Sequence, residues 1–286
     1  MRINFTKMHG CGNDYIYIDC LSSPPPDDIS ALSRDMSRRR YSVGADGVIL
    51  ILPSSVADAK MRIFNADGSE GKMCGNGIRC VGKYLWDVRK MNKPELSIET
   101  LSGVKRLVAK EEKGRVSLVG VDMGRAELLS SKIPIISPLE KVVFSHVEIG
   151  GETFVITCVS MGNPHAVMFI SDVENADIEH VGRLFEQSEI FPEGINVELC
   201  RLDGDNAITM RVRERGSGET LACGTGACAA AVASVLGGTC KYGEPIKVRL
   251  PGGELYVTVS ERLDVFMLGG AEIIYSGVYD YEYTDK

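Results

Sequence analysis

Apolar residues recur at every second position through most of the chain and at helical spacing in only a few stretches. The pattern is that of many short strands and few helices. Residues 2–8 and 14–19 read as strands around a tight HGCGND turn. After the prolines at 24–26, Asp27 or Asp28 can cap an amphipathic helix ending near Arg40. GVILIL reads as a buried strand and KMRIF at 60–64 as another, leading to a helix from about Gly75 to Val88. Three alternating strands fill 96–123, and the segment 124–141, with Pro134 and Pro138, reads as a passage to a second domain. Strands are then expected at 142–150, 153–161 and 165–171, a helix near 177–188, and strands at 195–202 and 206–213. A nearly uncharged run of small residues after Cys223 reads as a buried helix. It is followed by strands KVRLP, ELYVTVS, DVFMLGG and AEIIYSGVYDYEY. The fold class expected is α+β, with each half a curled, mostly antiparallel sheet around one apolar helix.

Two stretches repeat one another. Phe64 to Cys80 reads FNADGSEGKMCGNGIRC, and Arg211 to Ala231 reads RVRERGSGETLACGTGACAAA. Cys74 and Cys223 correspond at a separation of 149 residues. Glu70 and Glu219 each stand four before their cysteine, Asn65 and Glu214 nine before, and Gly-x-Gly follows both thiols. Internal duplication of this kind implies two similar halves facing each other.

Composition narrows the field. At 286 residues the chain suits about two domains, and 44% hydrophobic with 25% charged residues is ordinary for a soluble globular protein. The net charge of -7, without a basic tract, argues against nucleic acid as a partner. No run approaches the ~18 apolar residues of a membrane span, and the first residues pass into strand-like alternation with no signal segment. Cytoplasmic localisation is expected. Nine cysteines, an odd number, argue against a complete disulfide framework, and Cys20, Cys158, Cys200 and Cys240 read as small buried hydrophobes. Scattered histidines and cysteines make a poor zinc site.

The repeated thiols suggest a chemistry. A thiol at a helix N-terminus meets unpaired N–H groups and the positive end of the dipole, so easier ionisation is expected for it. Two such helix ends facing one cleft can hold a carboxylate between them. Their thiols would then reach opposite faces of the adjacent carbon, one removing the α-proton and the other returning a proton. Without an electron sink, the carbanion must be stabilised by the same N–H groups. His165 and Glu214 are candidate tuners of the thiols. His165 reads equally well as a loop hydrogen-bonding residue, and Glu214 as part of a solvated charge run. GTGACA at 224–229 fits a dinucleotide fingerprint poorly, because GSGETLAC precedes it where a buried strand is required. These glycines read instead as permitting close approach of backbone to a ligand.

MHGCGNDYIYID, GADGVIL, FNADGSEGKMCGNGIRC, SMGNPH, GINVE and RVRERGSGETLACGTGACA resemble the diaminopimelate epimerase family, in the family's order across nearly the whole chain. The resemblance implies a cofactor-independent enzyme interconverting LL- and meso-2,6-diaminopimelate for lysine and peptidoglycan synthesis. It implies two pseudo-symmetric domains, residues 1–121 with 271–286 and residues 122–270, with the active site in the cleft between them. Cys74 and Cys223 would be the acid/base pair, tuned by His165 and Glu214. Gly75, Asn76, Gly224 and Thr225 would hold the reacting carboxylate. Asn13, Asn65, Asn163, Asn196, Glu214 and Arg215 would contact the substrate, with Arg215 a clamp for the distal carboxylate. Gly47 stands where some members carry a substrate-contacting Gln. A homodimer is also implied, and the Tyr-rich C-terminal strand fits one.

A related two-thiol racemase of the proline or hydroxyproline type would share the acid/base pair. Arg215 and its surrounding asparagines, however, suit a substrate with a second amino-carboxylate end. A non-catalytic amino-acid-binding or zinc-stabilised protein would leave two matched thiols at helix starts as coincidence. Of the two thiols, Cys74 is taken as the base toward the LL form.

Overall fold

The chain opens with β1 (Arg2–Gly10) and β2 (Asn13–Asp19), an antiparallel hairpin in which Gly10 pairs with Asn13. Its two-residue turn, Cys11–Gly12, has φ of 53° and 78°, the left-handed pair whose twist matches that of the flanking strands. A computed structural model describes residues 1–281. The described chain falls into two units, one comprising Met1–Val121 with the residues from Gly269 onward and the other Asp122–Leu268.

The first unit continues with α1 (Ile29–Ser37), β3 (Gly47–Leu52), β4 (Ala59–Asn65), β5 (Glu70–Gly71), α2 (Gly75–Asp87), β6 (Glu95–Thr100), β7 (Gly103–Glu112) and β8 (Arg115–Arg125). Here β2 and β3 pair in parallel, β3 and β4 antiparallel, β4 antiparallel with β5 and parallel with β6. The apolar face of α1, with Leu32 and Met36 fully buried, packs over Ile16, Val48, Leu50 and Phe64. Ile78, Val81 and Leu85 of α2 are likewise fully buried, beside Leu107 and Val119 of β7 and β8.

The second unit repeats the plan: β9 (Ser145–Ile149), β10 (Glu152–Ser160), β11 (Pro164–Phe169), α3 (Ile178–Glu186), β12 (Asn196–Gly204), β13 (Ala207–Glu214), β14 (Gly218–Thr220), α4 (Gly224–Leu236), β15 (Pro245–Leu250), β16 (Gly253–Val259) and β17 (Asp264–Gly270). Strands β11 and β12 are parallel, β12 and β13 antiparallel, and β13 pairs antiparallel with β14 and parallel with β15. Because α4 is apolar on every side, it is buried on every side among these strands. Finally, β18 (Glu272–Asp280) pairs antiparallel with β1, returning the C-terminal strand to the first unit.

The duplication extends into single interactions. Asp28 caps α1 by accepting from Ala31 N–H, and Asp177 caps α3 by accepting from His180 N–H. Arg62 forks onto both oxygens of Glu70 at 2.7 and 3.0 Å, and Arg211 onto both oxygens of Glu219 at the same distances. Each of these pairs of positions shares the 149-residue spacing of Cys74 and Cys223.

The mixed architecture of mostly antiparallel strands with few helices is the one the pattern predicts. Two details differ. The short strands β5 and β14 were not among the expected elements, because two or three residues carry no readable alternation. Residues 124–141 are more than a passage. Ile133 is fully buried in the second unit's core, and bridges join Glu127 to Ser160 and Leu129 to Lys141. The expected last strand reached Tyr283, whose position lies outside the described residues.

Phe185 of α3 anchors the second core, edge-on to Phe154 with ring centroids 5.2 Å apart and stacked on Phe191 at 5.4 Å. Replacing Phe185 by Ala should cost about 3–5 kcal/mol, measured by chemical denaturation. A variant as stable as the parent would show that this cluster does not hold the core.

Candidate active site

Helices α2 and α4 both begin at a cysteine. Cys74 and Cys223 are N-cap residues in extended backbone, and their sulfurs accept from the N–H groups of Gly77 and Gly226, both at 3.4 Å. Thirteen residues follow in each helix, with Gly-x-Gly at the start.

In the first unit the half-buried Cys74 thiol donates to Asn13 Oδ1 at 3.3 Å. Asn13 is fixed from its other end by donating to Asp46 at 2.7 Å, and Asn76 also approaches its Oδ1, at 3.5 Å. Arg79, fully buried, donates to Asn76 Oδ1 at 2.9 Å and to the carbonyls of Gly75 and Gly270. The guanidinium thereby fixes which end of the Asn76 amide faces Asn13. Asn65 ends β4 opposite Gly47, and its amide donates to Ser69. At Gly47 a Cβ would run into the Phe64 carbonyl and lie 2.9 Å from the Tyr15 ring, so no Gln side chain fits on this backbone.

In the second unit Cys223 is almost fully buried, with the Thr225 hydroxyl 3.4 Å from its sulfur. Burial pushes its thiol well above the ordinary range, and the carboxylates of Glu214 and Glu198 push it further. Only the Thr225 hydroxyl and Gly226 N–H oppose them. Easier ionisation, expected from the helix dipole, is therefore overturned for Cys223: desolvation and two like charges outweigh one helix end. Glu214, at the end of β13, accepts from the Thr220 hydroxyl at 2.6 Å. Arg215 follows it, exposed, with Nη1 on the Glu193 carbonyl at 2.8 Å.

Asn196 is buried, and its amide spans two segments, donating to the Pro164 carbonyl at 2.9 Å and accepting from Arg215 N–H at 2.9 Å. Here it braces the start of Arg215 against β11. His165, fully buried, stands between Glu198 Oε1 at 2.6 Å on Nδ1 and Asn163 Oδ1 at 3.1 Å on Nε2.

The second unit thus gathers Asn163, His165, Asn196, Glu214 and Arg215 at neighbouring ends of β11, β12 and β13, and the first gathers Asn13 and Asn76 at Cys74. Arg79 and Glu198 were not singled out from the sequence. The available signal for Arg79 was a cation directly after the Gly-Asn-Gly-Ile start of the helix; for Glu198, a carboxylate inside the strand-like run INVELC. Gly226 also changes meaning. A Cβ there would lie 2.7 Å from Glu198 Oε1, so this glycine admits a carboxylate of the protein itself.

The diaminopimelate epimerase family model matches residues 5–129 and 157–274. The chain belongs to the diaminopimelate epimerase family. It is an epimerase. A diaminopimelate epimerase of Methanococcus maripaludis strain C5 is 47% identical over 279 residues, covering 97% of this chain and 100% of the relative. One of Geobacillus sp. WCH70 is 46% identical over 282 residues, covering 98% and 99%. Among solved structures, a hydroxyproline epimerase of Agrobacterium vitis shares 16% identity at a TM-score of 0.70, covering 97% of this chain and 91% of that one. A probable proline racemase of Agrobacterium radiobacter K84 shares 18% at 0.71, covering 96% and 92%. At such identities these two share the fold.

Because the Glu214 carboxylate raises the Cys223 thiol, Glu214→Gln should let Cys223 ionise at lower pH. Alkylation of the Cys223 peptide by iodoacetamide, followed across a pH series by mass spectrometry, should shift its midpoint downward. An unchanged or higher midpoint would refute the assignment.

Proposed function

We propose that the protein epimerises LL-2,6-diaminopimelate to the meso form, for lysine and peptidoglycan precursor synthesis, by a two-cysteine acid/base reaction without cofactor. The observation that carries this reading is the matched pair of thiols, each capping a buried 13-residue helix, in a chain of this family.

In this mechanism Cys74, as thiolate, removes the α-proton of the LL form, and Cys223 protonates the opposite face. The high ionisation point of Cys223 suits the second role, since a thiol still protonated at neutral pH is ready to act as an acid. Developing negative charge on the substrate carboxylate is met by N–H groups of Gly75, Asn76, Gly224 and Thr225 at the two helix starts. Asn13, Asn65, Asn163, Asn196 and Glu214 bind the substrate, and Arg215 clamps its distal carboxylate. His165 and Glu214 tune the thiols. The catalytic units of this proposal are residues 1–121 with 271–286 and residues 122–270.

Two further properties complete the reading. No helix among the described residues is long and apolar enough to cross a membrane, and cytoplasmic operation is proposed. β18 leaves Ile273, Ile274, Tyr275 and Val278 exposed on one strand, which supports a homodimer through this strand.

The purified protein, with neither pyridoxal phosphate nor metal added, should exchange the α-hydrogen of diaminopimelate for solvent deuterium. Proline and hydroxyproline should stay unlabelled. No exchange, loss of exchange on chelation, or preference for proline would overturn the proposal. Ser is at least as good an N-cap as Cys, so Cys74→Ser and Cys223→Ser should fold while losing about 100-fold or more of the epimerisation rate. Cys240→Ser should retain it.

A further inference from the structure

Glu198 is a costly side chain to have buried in the second unit. Its carboxylate is fully buried and has one hydrogen-bonding partner, His165, while Oε2 has none among the described residues. Burying a carboxyl group with one oxygen unpaired is destabilising: burial raises its ionisation point while His165 opposes the shift, and an apolar residue of similar size would pack there at lower cost. The surroundings offer no second cation. The groups whose charge acts on or responds to Glu198 are His165, Glu214 and the thiols of Cys158, Cys200 and Cys223. Two β-strands and a helix end are nevertheless shaped around it. His165 comes from β11 and Glu198 from β12, and the first turn of α4 approaches so closely that only glycine fits at Gly226.

His165 is held equally tightly. Both ring nitrogens face oxygen acceptors, the carboxylate on Nδ1 and Asn163 Oδ1 on Nε2, an arrangement that suits a ring carrying both protons. A neutral ring needs one acceptor replaced by a donor. The carboxylate has no proton to offer when ionised, whereas the Asn163 amide supplies an N–H simply by turning over. The two sides are therefore unequal, and only the Asn163 side can follow a change in the ring's charge.

The geometry points to Glu198 as a positioning residue for the epimerase reaction: it keeps the proton on Nδ1 of His165 and so fixes the tautomer and orientation of the ring, leaving Nε2 to the Asn163 side. This inference rests on the proposed function, in which His165 tunes a catalytic thiol. Proton balance is simple. Nδ1–H stays bonded to the Glu198 carboxylate, Nε2 faces the Asn163 amide, and no proton passes between the ring and Glu198. Glu198 itself touches no substrate and acts only through His165. Gly226 gives the first turn of α4, and hence Cys223, a fixed distance from the same carboxylate.

The test uses the full chain, histidine-labelled with 15N, as wild type, Glu198→Gln and Glu198→Leu. In the wild type the ring-nitrogen shifts of His165 should report a proton on Nδ1 whether or not Nε2 is protonated. Glu198→Leu should abolish that preference and Glu198→Gln weaken it. Turnover of LL-diaminopimelate should fall in the same order, at least about tenfold for Leu, in kcat with KM little changed. If Glu198→Leu does not fold, Glu198→Gln decides alone. A Glu198→Leu variant whose His165 keeps its Nδ1 preference, a Glu198→Gln variant in which that preference is undiminished, or a variant whose kcat matches the wild type after a change in melting temperature only, overturns the inference. A wild type that does not turn over diaminopimelate sinks the proposed function instead, and the 15N shifts still read whether Glu198 holds the ring.

Discussion

The cysteine N-cap is the interaction on which this molecule is arranged. A helix start leaves N–H groups without partners, and a thiol is an unusual group to satisfy one, since Ser, Thr and Asp are the common choices. Using sulfur there places the reactive atom in line with the remaining donors of the helix end. Cap and proposed acid/base group are thus the same side chain. The neighbouring parts of each unit follow: small residues after the cysteine keep the turn open, and short strands β5 and β14 aim the chain into the helix.

The two caps nevertheless sit in different surroundings. Cys74 is partly exposed beside amides, and Cys223 is enclosed beside carboxylates. The repeat carries one geometry twice, and the two halves are chemically unequal. Asn65 against Glu214 is the clearest instance, a neutral amide in one copy and an ionisable group in the other. The proposed acid and base need that inequality, because two thiols of identical environment would compete for the same protonation state.

Much of this was legible in the sequence for a physical reason. Two helices, the alternating strands and the repeat leave periodic signals, and the Gly-flanked cysteines mark turns that few other residues can form. Gathering of Asn163, His165, Asn196 and Arg215 was not legible from spacing, because parallel pairing of β11 with β12 joins segments about thirty residues apart, beyond any local period. Glu198 was hidden for a related reason: in a strand with both faces covered, position parity no longer distinguishes core from surface. The ionisation of Cys223 was misjudged because a helix dipole is visible in sequence, whereas burial and facing carboxylates belong to tertiary structure.

The charged run RVRER illustrates how three like residues part company once their donors are counted. An arginine has five N–H groups. Arg211 meets both oxygens of Glu219 and the carbonyls of Val173, Glu174 and Ala176, joining β13 to the approach of α3. Arg213 is committed to Glu179 and Glu186. Arg215 gives its side chain to one carbonyl, that of Glu193. The first two arginines are neutralised by carboxylates of the protein, whereas the third meets a carbonyl and no carboxylate among the described residues, so of the three it is the cation with charge left to receive an anion from solution.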